Sequence, residues 1–174
     1  MSDESRADFM TLYRDVHARA SRFARYLAGA EDAGEELLAE SVAMALEKFR
    51  HLRNQERFGP WLFAIMRNRY RSAWRRYRLR KVEPLSVAGD VPASDTRMMS
   101  PSDEAWLAGM LAALPRAERE ALMLHELEGF SVRETARIVR ARVGAVKMRL
   151  VRARRRLAKL LRAETEREVK DDEA

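Results

Sequence analysis

The side chains of this chain that could do chemistry are cations, and their spacing suits holding a polyanion rather than making or breaking bonds. From Val143 onward, Val146, Leu150, Ala153, Leu157, Leu160 and Leu161 recur at helical steps, leaving Gly144, Met148, Val151, Arg152, Arg155 and Lys159 on the other side. A helix divided in this way buries one face and can lay the other in a major groove. Side chains near its start would read base edges while later arginines hold phosphates, and small Gly144 and Ala145 allow close backbone approach. Earlier in the chain, Arg67, Arg71, Arg75 and Arg78 lie roughly opposite Leu62, Ile65, Met66, Tyr70, Ala73, Trp74 and Tyr77. One face of each segment is expected to pack and the other to meet anions.

Catalytic patterns do not accompany these cations. His17, His51 and His125 lie far apart, no H-E-x-x-H or glycine-rich phosphate loop occurs, and no nucleophile has an evident partner. Each histidine reads as ordinary surface or core. Without cysteine there is no disulfide framework and no thiolate metal site. The expectation is a protein that is not an enzyme, with no metal, cofactor or small-molecule substrate.

The elements that must position the cations read as helices. Ala, Leu, Arg and Glu are plentiful, glycine and proline scarce, and 47% of the 174 residues are hydrophobic, enough to bury cores. The net charge is +7, and its distribution is uneven. Residues 67–81 and 137–162 contain no acidic side chain, whereas residues 31–47 and those after Arg162 are mainly acidic. A single run of this kind is usually a solvated face; two long ones point more strongly to a polyanionic partner. The first ten residues lack a signal peptide's basic and apolar blocks, and no apolar run approaches the roughly 20 residues of a membrane span, so a cytoplasmic protein without membrane insertion is expected.

An all-α chain of two small helical domains is predicted. The stretch "KVEPLSVAGDVPASDTRMMS", with Pro84, Gly89 and Pro92, reads as a flexible linker over 81–100. It separates a unit at 5–80 from one at 101–162, with an acidic tail at 163–174. In the first unit, Phe9, Leu12, Tyr13, Val16 and Ala20 mark a helix that Gly29 ends, a second helix covers 32–49, and a third follows Gly59 and Pro60. Trp61, Tyr70 and Trp74 read as core rather than as stacking platforms. In the second unit Ser100 and Pro101 open a helix, Pro115 restarts one that ends near Gly129, and Ser131 with Glu134 forms an S-x-x-E capping box for the next. "GFSVRETARIVRARVGAVKMRL" then reads as two helices joined by a tight turn, a helix-turn-helix.

The run "LPRAEREALMLHELEGFSVRETARIVRARVGAVKMRLVRARRRLAKLL" resembles region 4 of the extracytoplasmic-function sigma factors, within the sigma-70 family. The residues that carry the likeness are Leu114, Pro115, Glu128, Gly129, Ser131, Glu134, Ala136, Val143, Gly144, Val146, Lys147, Arg149, Leu150, Arg152, Ala153, Arg154 and Leu157. "EELLAESVAMAL" is similar to the family's core-binding helix, and "PWLFAIMRNRYRSAWRR" to its helix at the -10 promoter element. Together the likenesses cover about residues 9–161, in family order.

The resemblance implies a promoter-specificity subunit whose partners are RNA polymerase core, promoter DNA and an anti-sigma factor. It implies polymerase contacts at Glu35, Glu36, Leu37 and Glu40. For the -10 element it implies Asn54, Gln55, Arg57 and Phe58 in a loop and Arg67, Asn68, Arg71 and Arg75 on the following helix. For the -35 element it implies Arg142, Gly144, Lys147, Met148, Arg149, Arg152 and Arg155, with Arg154 and Arg156 open between phosphate and solvent. The chain departs from the family where glycine is common in the turn and Ser or Thr precedes V-G, offering Arg140, Ala141 and Arg142 instead. An arginine in a left-handed turn costs about 1 kcal/mol, and a lost cap about the same. Two other readings stay open: a stand-alone helix-turn-helix regulator, and a helical interaction protein that has lost promoter activity.

Overall fold

A computed structural model of the chain describes residues 3–80 and 103–172, and among them every regular element is helical. The expected linker, with the Ser100 and Pro101 helix start, lies outside the described residues. The helices are α1 (Asp3–Ala28), α2 (Glu31–Lys48), α3 (Phe58–Arg80), α4 (Asp103–Ala112), α5 (Arg116–Leu122), α6 (Val132–Ile138) and α7 (Val143–Asp172). Single 3-10 turns at Phe49–His51 and Gln55–Arg57 connect α2 to α3, and a π turn at Met123–Leu127 extends α5.

The first three helices pack because their apolar residues recur on one side. Phe9, Ala20, Phe23, Ala24 and Leu27 of α1 are buried against Leu37, Leu38 and Ala45 of α2 and Leu62, Phe63 and Met66 of α3. Each large side chain removed from water contributes about 1.5–3 kcal/mol before entropy is counted. Gly29, at φ 77, ends α1 as expected. The close approach of α1 and α2 needs Gly34, where a Cβ would stand 2.7 Å from the Arg25 Cα.

In the second half, Leu111, Leu114, Leu122, Met123 and Leu124 pack on Ala136, Ile138 and Val139 of α6 and on Val146, Leu150 and Ala153 of α7. The two halves share this core. Phe63 of α3 meets Phe130, just before α6, edge-on at 4.9 Å between centroids. Around that ring pair, Arg22 of α1 donates to both oxygens of Glu128 at 3.2 and 3.1 Å, and Arg19 stacks over Phe130.

Several expectations change. The third helix begins at Phe58, so Gly59 and Pro60 lie inside its first turn, where a missing N–H leaves no bond unmade. Leu161 and Tyr77, expected on packed stripes, are exposed. Residues 163–172, expected as a tail, continue α7, as a segment rich in Ala, Glu, Arg and Lys favours.

Candidate nucleic-acid interface

The helix-turn-helix is built from a cap, a strained turn and a divided helix. The Ser131 Oγ accepts from the Glu134 N–H at 3.2 Å, while a Glu134 carboxylate oxygen accepts from the Ser131 N–H at 2.8 Å and from its hydroxyl at 2.7 Å. These bonds, the hydroxyl's first, hold the Glu134 carboxyl below its ordinary range. After α6, Arg140 takes φ 50, and its N–H and that of Ala141 donate to the carbonyls of Arg137 and Ala136 at 3.2 and 2.9 Å. The turn therefore forms with arginine in the left-handed position, the strained alternative that the sequence raised.

On α7 the division of faces falls largely where the periodicity places it. Val146, Leu150 and Ala153 are buried; Arg142, Gly144, Lys147, Met148, Arg152 and Arg155 are exposed, and Arg149 is half-buried. Val151 is exposed beside Met148, so the outer face carries apolar contacts among its cations. Arg154 and Arg156 turn instead to the flank, where Arg154 bonds Glu126 and Arg156 stands 3.0 Å from Glu118.

The earlier segment is less open. Asn54, Gln55 and Arg57 are exposed, with the Asn54 side chain accepting from the Glu56 N–H at 2.9 Å to cap the turn. Phe58 is a correction. Its ring lies in the core, edge-on to Phe9 and Phe49, because α3 starts at this residue and turns it inward; it offers no face for an unstacked base. Arg67, expected on the anion-facing side, is buried, with its Nε 2.6 Å from Glu120 of α5. Asn68 and Arg71 are half-buried and Arg75 is exposed. Trp61, Tyr70 and Trp74 are all partly buried, and Arg116 lies over the Trp74 ring at 4.4 Å.

On α2, Glu35, Glu36 and Glu40 are exposed, and Glu40 accepts two bonds from Arg69 at 2.7 and 2.6 Å. Those bonds keep its carboxyl below the ordinary range. Leu37 is a third correction, after Phe58 and Arg67: it faces the core, as the 3.6-residue period requires of a neighbour of Leu38 and Ser41. It supports the acidic face rather than joining it. Sequence reading missed Arg19, Arg22, Phe63, Glu120 and Phe130, whose roles arise only between elements distant in the chain. Among the described residues no three acidic or histidine side chains form a metal-holding group, and no helix is long and apolar enough to cross a membrane.

Comparison with known proteins gives two family matches, "Sigma-70 region 2" over residues 12–80 and "Sigma-70, region 4" over residues 104–157. The chain is 32% identical over 166 residues to the ECF RNA polymerase sigma factor EcfG of Rhodopseudomonas palustris, covering 92% of this chain and 87% of that one. Among solved structures it is similar to the sigma factor RpoE in complex with the anti-sigma factor NepR from Bartonella quintana, at TM-score 0.72 and 26% identity, over 89% of this chain and 97% of that one. CnrH in complex with the cytosolic domain of CnrY has the same fold, at TM-score 0.67 and 24% identity, over 89% and 88% of the two chains.

Proposed function

The chain belongs to the extracytoplasmic-function sigma factors of the sigma-70 family, and on that premise we propose how its parts divide the work of promoter-specific initiation. The acidic face of α2, with Glu35, Glu36 and Glu40, docks on RNA polymerase core. Residues 5–80 meet the -10 element through Asn54, Gln55, Arg57, Asn68, Arg71 and Arg75, joined by Arg67 once Glu120 releases it. Residues 101–162 bind the -35 duplex through Arg142, Gly144, Lys147, Met148, Arg149, Arg152 and Arg155, with residues 81–100 as the link between the two units. The protein works in the cytoplasm by binding and positioning, without catalysis of its own.

One observation carries this reading. The region 2 and region 4 matches occur in order within one chain, and a stand-alone regulator would need no counterpart of the first. An anti-sigma partner belongs to the same reading, since the Bartonella neighbour is seen bound to one.

The test is transcription in vitro with purified protein and sigma-free core polymerase on a pool of genomic fragments from the source organism, with RNA 5′ ends sequenced. Discrete starts that share two upstream motifs are expected. A stable complex with core polymerase that yields no starts would turn the reading toward an interaction protein, and no complex at all toward a separate regulator.

A further inference from the structure

An open cleft of about 610 Å3 lies between α6, the turn and the start of α7, with Arg133, Arg137, Arg140 and Arg142 on its walls and Ala136 and Ala141 beside them. All four arginines are exposed. Among the described residues none of their guanidinium groups has a hydrogen bond or ion pair, whereas Arg154 and Arg156 farther along α7 are each tied to a carboxylate. Glu134, the nearest acid on α6, is committed to the Ser131 cap. Glu134 is near enough to feel the Arg137 charge, but one carboxylate already bonded to Ser131 does not balance four cations, which repel one another. Arg140 adds backbone strain at φ 50, a position where glycine would carry neither cost.

We propose that Arg133, Arg137 and Arg140 clamp the sugar-phosphate strand bordering the groove that α7 enters, as contacts that add affinity without reading sequence. The proposal rests on the reading that α7 lies in a duplex. With α7 so placed, the turn before it stands over the flanking backbone, and the cleft opens beside the exposed residues Gly144, Lys147 and Met148. A guanidinium presents paired N–H donors that match two phosphate oxygens, and a strand offers phosphates at regular spacing to a row of them. Arg133, Arg137 and Arg140 follow at steps of four and three along α6 and its end, which places them on one side. The small, half-buried side chain of Ala141 leaves room for the backbone to come close.

The experiment measures binding of the full chain to a fluorescein-labelled, random-sequence duplex of about 20 base pairs by anisotropy across a salt series, a probe on which phosphate contacts dominate. Each contact adds about 0.9 to the slope of log K against log salt, so the triple variant R133Q/R137Q/R140G should be shallower by about 2.7 and R140G alone by about 0.9. R140G separates function from structure, because it should raise the melting temperature while lowering affinity. Unchanged slopes in both variants, or wild-type protein that does not bind at low salt, overturn the clamp. So does a triple variant that keeps its DNA slope but loses binding to a poly-glutamate peptide, which would assign the cleft to an acidic protein. The binding assay needs neither polymerase nor promoter. Specific transcription starts with an unchanged slope therefore defeat the clamp alone, and altered slopes without starts support the clamp and defeat the proposed function.

Discussion

Arg67 on α3 and Glu120 on α5, 53 residues apart in the chain, form a buried pair with Nε donating to Oε2 at 2.6 Å. Burial pulls the guanidinium down from the ordinary arginine value, and the Glu120 carboxylate opposes that pull. The Arg116 guanidinium stands 3.4 Å from the other Glu120 oxygen. A side chain expected to hold a DNA strand thus holds a carboxylate of the other half, and it cannot do both at once. Engagement of the -10 strand by Arg67 requires the two halves to part.

Removing one partner should drive that parting. Glu120→Ala leaves Arg67 buried without its carboxylate, a change that costs about 3–5 kcal/mol in comparable buried pairs. Exposure of the guanidinium to water relieves the cost, so small-angle scattering should report a larger radius of gyration than for the wild type. Identical scattering profiles would show that the pair does not hold the halves together.

Arg140→Gly should stabilise the fold. Relief of a left-handed arginine is worth about 1 kcal/mol, which for a chain of this size corresponds to a rise of about 2–4 °C in Tm. A calorimetric Tm at or below that of the wild type would mean that other contacts of Arg140 outweigh the strain.

The cap of α6 should fail in acid. Because bonds from Ser131 lower the folded-state pKa of Glu134, their stabilisation is complete above the unfolded value of about 4.3 and is lost as pH falls through the folded one. Ser131→Ala removes the hydroxyl and should cost roughly 1 kcal/mol while moving the Glu134 pKa part of the way back up. NMR titration of the Glu134 carboxyl in both proteins checks this, and equal midpoints would contradict it.

Neighbouring arginines on α7 should behave differently. Arg152→Ala is expected to weaken holoenzyme binding to a -35 duplex and to reduce its salt slope by about 0.9. Arg154→Ala should leave DNA binding intact, removing only the exposed pair with Glu126, which is worth about 0–1 kcal/mol. Equal losses in a mobility-shift titration would place both on DNA.

On α2, exposure separates docking from folding. Glu35→Lys with Glu36→Lys should reduce affinity for core polymerase with little change in Tm, because both side chains are exposed. Leu37→Ala should lose about 2–5 kcal/mol of stability, because it truncates a core position. Polymerase affinity unaltered by the double charge reversal would remove the docking face from α2.

The helices themselves were legible because burial repeats every three to four residues, and Val146, Leu150 and Ala153 lie inward where that period puts them. The Ser131 and Glu134 cap was legible because its partners are three residues apart, and the left-handed turn because arginine stood where glycine is usual. Local rules reach that far. The π turn at Met123–Leu127 was hidden, since the same apolar spacing suits an ordinary helix over so short a run. Phe58 was misplaced because an aromatic at a helix start has the same local surroundings whether it turns inward or outward.

Periodicity reports which residues share a face; it does not report what will cover that face. Arg67 and Arg152 look alike along the chain, each a cation on the polar side of a basic helix. Packing of the second half on α3 brings Glu120 to the first, while the second stays in the open. Helix positions and caps therefore follow from short-range spacing. The availability of each cation to an outside anion follows from contacts between distant segments, because a guanidinium buried against a carboxylate is shielded from a phosphate outside.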